Sequence, residues 1–195
     1  MNKVTIEDVA EKAGVSINTV SRAINDKPDI NPETKEHVLK VAQRLGYVPS
    51  KLARGLRLNK TKTIGVIVAD IANPFFSALV KGIEKKAKEQ GYSIFVQDTN
   101  ETYEDEIFAI QAMYAERVDG VLITPVQTNK STIMKLKKSG LPFVLVGRYF
   151  DDLKNVDYVV CDDVKGGYLA TKHLIDLGHT DIAFINGPLH NSSAK

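Results

Sequence analysis

From Thr63 onward the chain alternates short β-branched apolar runs with longer stretches of helical periodicity, and few architectures accept that pattern. Residues 64–68, 92–96, 120–124, 143–146 and 158–160 read as strands, with a sixth at 182–185. Helices are expected over 74–90, 104–116, 132–138 and 167–177. Strands apolar on both faces and joined by helices build a parallel sheet covered on both sides, a doubly wound α/β fold. Ligands of such sheets sit beyond the carboxyl ends of the strands.

Up to Tyr47 the pattern is different: short helices with caps and no strand-like run. Thr5-Ile6-Glu7-Asp8 has the form of a capping box, with Asp in place of the usual Glu or Gln. Ile6, Val9, Ala10 and Ala13 recur at helical spacing, and Gly14 can take the left-handed conformation that ends a helix in a tight turn. Ser16 caps a second helix carrying Val20, Ala23 and Ile24 inward. Asn31-Pro32 announces a third, which runs through Val38, Val41, Ala42 and Leu45 to Gly46. A tight turn between the first two helices suits a helix-turn-helix head. The division expected is a head over 1–48, a hinge and linker over 49–62, a first α/β lobe over 63–161 and the start of a second lobe over 162–195.

Charge follows the same division. Residues 1–62 hold 12 Lys and Arg against 7 Asp and Glu, whereas residues 63–195 hold 14 against 17. A basic head beside a slightly acidic body points to a polyanionic partner for the head. The single cysteine, Cys161, lies in Val159-Val160-Cys161 and reads as a small buried hydrophobe in a reducing compartment. The first ten residues hold Glu7 and Asp8 and no apolar core of a signal peptide, and no apolar run reaches membrane-spanning length. A cytoplasmic location is expected, with no membrane partner. His37, His173, His179 and His190 lack ligand spacing, so no metal or cofactor is expected. Asp162 and Asp163 fit either solvated turn carboxylates or a metal pair, the former preferred. No Gly-x-Gly-x-x-Gly, Walker loop or nucleophile elbow appears, and no enzymatic activity is expected.

Ala13-Gly14-Val15-Ser16 followed by Thr19-Val20-Ser21-Arg22 closely resembles the opening of the lactose-repressor / galactose-repressor (LacI/GalR) family of transcription regulators. Leu45-Gly46-Tyr47-Val48-Pro49 resembles its end-of-head motif, and Ala53-Arg54-Gly55-Leu56 its hinge helix. Asn73-Pro74-Phe75-Phe76, Val118-Asp119-Gly120, Leu177-Gly178-His179 and Gly187-Pro188 are similar to its sensing domain. The resemblance implies a small all-α head on a periplasmic-binding-protein-like sensing domain whose second lobe is incomplete, since family members run on well beyond Lys195. It implies a sequence-specific regulator, a repressor first, working as a homodimer on double-stranded operator DNA. The effector implied is a small molecule, with a sugar or sugar derivative foremost; whether it induces or co-represses stays open.

Ile17, Asn18 and Arg22 occupy the family's base-reading positions. Asn18 suits paired bonds to adenine, Arg22 paired bonds to guanine, and Ile17 apolar contact with a thymine methyl. Thr5, Ser16, Thr19, Ser21 and Asn25 suit phosphates, which position a head without reading sequence. In the hinge, Lys51, Ala53, Arg54, Leu56 and Arg57 are implied to fold on the operator and lie in the minor groove, Leu56 wedging between base steps. A flexible linker is the alternative, because so short a segment with Gly55 inside it is unstable as a helix alone. At the strand ends of the body, Asp70, Asn73, Phe75, Thr124 and Arg148 form the expected effector set. Lys195 stands at or beside a further basic effector contact.

Overall fold

The structure is a computed structural model, and it describes residues 4–48 and 60–194. The chain divides into two compact units, Met1–Asn59 and Lys60–Lys195. The hinge residues Lys51, Ala53, Arg54, Leu56 and Arg57 lie outside the described residues.

Among the described residues the first unit holds three helices: α1 (Ile6–Ala13), α2 (Ile17–Ile24) and α3 (Pro32–Leu45). Local chemistry sets their ends. The Thr5 hydroxyl accepts from the Asp8 N–H, and the Asp8 carboxylate accepts from the Thr5 N–H at 2.7 Å, so the capping box forms even with the shorter acid. These bonds from the Thr5 backbone and hydroxyl hold the Asp8 carboxyl below its ordinary pKa. Gly14 closes α1 with φ +67°, a left-handed geometry that side chains other than glycine resist. The Thr19 N–H donates to Ser16 Oγ at 3.1 Å to start α2, and Asn31 Oδ1 accepts from Glu33 N–H at 2.8 Å ahead of Pro32 to start α3. Val9, Val20 and Val38, one from each helix, meet at the centre with no exposed surface. Burying each contributes about 1.5–3 kcal/mol. His37 Nε2 lies 3.2 Å from the Ala13 carbonyl, a polar tie between α3 and the end of α1.

The second unit is a five-stranded parallel sheet in the order β2-β1-β3-β4-β5. Its strands are β1 (Thr63–Val68), β2 (Ser93–Asp98), β3 (Gly120–Ile123), β4 (Phe143–Val146) and β5 (Tyr158–Val159). They alternate with α4 (Pro74–Glu89), α5 (Tyr103–Ala115) and α6 (Ser131–Ser139), and α7 (Asp163–Asp176) follows β5. Successive side chains of a strand point to opposite faces. Ile67 of β1 therefore joins Met113, Ile123, Ile133 and Leu145 in one core, while Val66 and Val68 join Phe76, Leu79 and Ile83 of α4 in the other. This is the two-sided burial that the apolar strands demanded. Where the chain enters β1, the Asp119 carboxylate accepts from Thr61 N–H at 2.7 Å, Thr61 Oγ1 at 3.1 Å and Lys62 N–H at 2.9 Å.

Two sequence expectations fail after β5. Residues 182–185 form no strand: they pair with no described strand, and Phe184 and Ile185 are 79% and 98% exposed. A strand is made by its ladder and its packed face, and this segment has neither. Cys161 is exposed rather than buried. It follows β5, an edge strand of two residues paired only with β4, so it emerges past the cover of the sheet. α7 begins four residues earlier than expected because Asp162 caps it, its carboxylate accepting from Lys165 N–H at 2.9 Å.

Candidate functional site

In the head, α2 follows α1 across the turn at Gly14-Val15, and its N-terminus faces solvent. Ile17 is 47% exposed, an apolar side chain with no partner in the core, and Asn18 is exposed beside it. Arg22, four residues after Asn18, shares its face and is ion-paired to Asp29 in the segment between α2 and α3. Of the five side chains expected at phosphates, Thr5, Ser16, Thr19 and Asn25 are already fixed from within the head. Thr5 and Ser16 are caps, the Thr19 hydroxyl lies 2.9 Å from Ser16 Oγ, and Asn25 Nδ2 donates to the Ser21 carbonyl at 2.7 Å. Asp26, close by, is bound by Lys35 at 2.5 Å, and that ammonium keeps the Asp26 carboxyl below its ordinary pKa. A helix so arranged presents one apolar, one amide and one guanidinium group on a rigid, capped scaffold.

In the second unit all five strands point the same way, so the loops after their carboxyl ends share one edge. There lies a cavity of about 290 Å³ lined by Asn73, Phe75, Thr124 and Arg148, together with Phe76, Glu101, Gly147, Cys161, Asp163 and Ser193. Four of the five residues expected at the effector are thus brought together. Asp70 is not among the lining residues; its carboxylate turns back to accept from Ala72 N–H at 2.8 Å. Asn73 caps α4 through Oδ1, which accepts from Phe75 N–H at 3.0 Å and so aims the Phe75 ring at the cavity mouth. Gly147, with φ +74°, keeps the opposing wall bare: a Cβ there would stand 3.9 Å from the Phe75 ring. Thr124 is 1% exposed and its hydroxyl has no hydrogen-bond partner, an open demand at the cavity wall.

Arg148 is buried and held by a carboxylate absent from the sequence reading. Its Nη1 and Nη2 donate to Glu101 at 2.7 and 2.5 Å, and Nη1 also to the Pro125 carbonyl at 3.2 Å. Glu101 comes three residues after β2, the same strand-end signal that marks Thr124 and Arg148. On α5 the Glu106 carboxylate is fully buried, accepting from Val126 N–H at 2.6 Å and from the Thr132 hydroxyl. Burial pushes its pKa up, against the two hydrogen bonds and the Arg148 charge, which pull it down. Its trace in the sequence is an acid on an otherwise apolar stripe, Glu106, Ala109, Ile110 and Met113, at helical spacing. At the far end of the chain, Ser192 N–H donates to Gln127 Oε1 at 2.6 Å and Ser192 Oγ accepts from Tyr149 N–H at 3.1 Å, which seats Ser193 on the cavity.

Two family models match consecutive stretches of the chain. Residues 5–50 match bacterial regulatory proteins of the lacI family, and residues 61–195 match the periplasmic binding proteins and sugar binding domain of the LacI family. Catabolite control protein A of Priestia megaterium is 38% identical over 186 residues, covering 95% of this chain and 56% of the relative. The HTH-type transcriptional repressor PurR of Pasteurella multocida (strain Pm70) is 38% identical over 192 residues, covering 98% and 57%. A crystal structure of the lac repressor dimer bound to operator and the anti-inducer ONPF superposes with a TM-score of 0.87 at 29% identity, over 99% of this chain and 58% of that one. The chain therefore spans a little over half the length of the relatives it matches. It belongs to the lacI family of bacterial regulatory proteins.

Proposed function

We propose that the protein is a sequence-specific transcription repressor whose hold on operator DNA is governed by a small hydroxylated effector. The observation that carries the reading is the outward face of α2: Ile17 and Asn18 exposed, with Arg22 half-buried beside them, on a helix fixed by a cap at Ser16 and a turn at Gly14. A helix presented in this way enters a major groove with its N-terminal residues toward the bases. Thr5, Ser16, Thr19, Ser21 and Asn25 surround it as candidates for phosphate contact. Lys51, Ala53, Arg54, Leu56 and Arg57 complete the reading as a hinge in the minor groove, between a head of residues 1–48 and a sensing lobe that starts at residue 63.

The cavity in the second unit supports the effector half of the proposal. A bare aromatic ring, an unpartnered hydroxyl, an amide and a fixed guanidinium converge on one small volume, the mixture that concave binding sites use. None of these groups forms a nucleophile–base pair, and the reading assigns the protein no reaction. The relatives named above are a control protein and a transcriptional repressor, and the lac repressor structure is a dimer on its operator. By analogy the protein acts as a homodimer on a pseudo-palindromic site, in the cytoplasm and on the nucleoid. Among the described residues no helix is long and apolar enough to cross a membrane. Selection of genomic fragments by the purified protein tests the reading: a recurrent, two-fold-symmetric motif is expected, and uniform recovery of fragments refutes it.

A further inference from the structure

We infer that the effector is an uncharged hydroxylated molecule, an unphosphorylated sugar or polyol, and that Glu101 is the residue that excludes its anionic derivatives. This inference rests on the cavity being the effector site.

Arg148 is the only cationic side chain among the described lining residues, and it is already neutralised. Glu101 takes a bond from each of its terminal nitrogens, and the Pro125 carbonyl takes another. A guanidinium has five N–H donors. Arg148 therefore keeps donors for a neutral oxygen while remaining paired. A phosphate or carboxylate at the side face of Nε and Nη2 meets a cation already neutralised, and one that seeks the end face of Nη1 and Nη2 finds Glu101 on it. To bind there an anion must displace Glu101 from a nearly buried cation, a separation that low polarity makes costly. It must then sit beside the displaced carboxylate. Asp163 lines the same cavity, so the described wall carries two carboxylates against one guanidinium.

The remaining wall groups are neutral. Thr124 offers a buried hydroxyl without a partner. Asn73 has spent its oxygen on the α4 cap, which leaves its amide N–H groups to donate. The Phe75 ring is 53% exposed at the mouth and suits the C–H face of a sugar ring. These groups suit hydroxyls and an apolar face, and none carries a positive charge to offset that of an anion.

The test is calorimetric titration of the purified protein with neutral pentoses, hexoses and disaccharides, each paired with its phosphate ester and its uronate or aldonate. The neutral member of the best-binding pair is expected to bind at least tenfold more tightly than its charged partner. In Glu101→Gln the ratio of charged to neutral affinity is expected to rise at least tenfold. A charged member that equals or exceeds its neutral parent on the unmodified protein overturns the inference while leaving the effector reading intact. An unchanged ratio in Glu101→Gln removes Glu101 from the role. Absence of binding by every pair defeats the effector reading itself, and this inference with it. The ratio on the unmodified protein is read without any substitution, so a variant that fails to fold does not remove the test.

Discussion

Arg22, in the last turn of α2, is ion-paired to Asp29, seven residues later. The two side chains are 39% and 57% exposed, so the pair contributes only about 0–1 kcal/mol to stability. On the proposed function its consequence lies in DNA binding, because Asp29 holds the guanidinium and adds a negative charge beside it. Arg22→Ala is expected to cost about 1–3 kcal/mol of discrimination and to flatten preference at one base position of the operator. Asp29→Asn is expected to leave the melting temperature nearly unchanged while strengthening binding to random duplex and steepening its salt dependence. Competition binding at several salt concentrations reads both outcomes.

Glu106 gives the fold a pH signature. Its pKa is raised by burial, so the folded state holds a proton over a window in which the unfolded chain has released it. Folded protein then binds more protons than unfolded, and stability falls as pH rises from the ordinary carboxylate range through the raised value. Glu106→Gln is expected to abolish that component of the slope. Glu106→Ala is expected to lower stability across the whole range by about 1–3 kcal/mol, because it orphans the buried Val126 N–H. Urea unfolding at a series of pH values separates the two.

The approach of β1 to α5 depends on a missing side chain. A Cβ on Gly65 would overlap the sulfur of Met113, which is fully buried. Gly65→Ala is expected to destabilise the protein by about 1–3 kcal/mol through overpacking. Met113→Ala alone is expected to cost about 2–5 kcal/mol by leaving a cavity. Combined, the two are expected to cost less than their sum, since each relieves the other's misfit. A double-mutant cycle by denaturant unfolding measures the difference.

Thr5 joins a structural and a proposed DNA role, and one substitution tells them apart. Thr5→Ala removes the hydroxyl of the capping box and is expected to lower the stability of the head by about 0.5–2 kcal/mol. Thr5→Ser restores an oxygen at the same place and is expected to recover both stability and DNA affinity. Recovery of the cap without recovery of affinity, read by thermal melting beside duplex binding, places the missing contact on the threonine methyl.

What could be read from the sequence was what depends on near neighbours. Thr5, Ser16 and Asn31 cap their helices because a cap is a matter of two or three residues, and Gly14 and Gly46 end them for the same reason. The two-sided cores follow from Val66, Ile67 and Val68 being apolar in succession. The Glu101–Arg148 pair was not legible, since its partners are 47 residues apart and meet only because of the order in which the strands align. Asp70 failed to reach the cavity for the opposite reason: a local turn bond claims its carboxylate first. The segment at residues 182–185 has the composition of a strand, but composition supplies no neighbour to pair with.

Asp119 accepts three hydrogen bonds from Thr61 and Lys62, just before β1 starts. Because β1 lies between β2 and β3, fraying from that end has to undo this grip before any rung of either ladder can open. The amides of Thr63 to Val68 are thereby placed among the last to exchange with solvent, and a pull delivered through Lys60 meets the interior of the sheet with no slack in between.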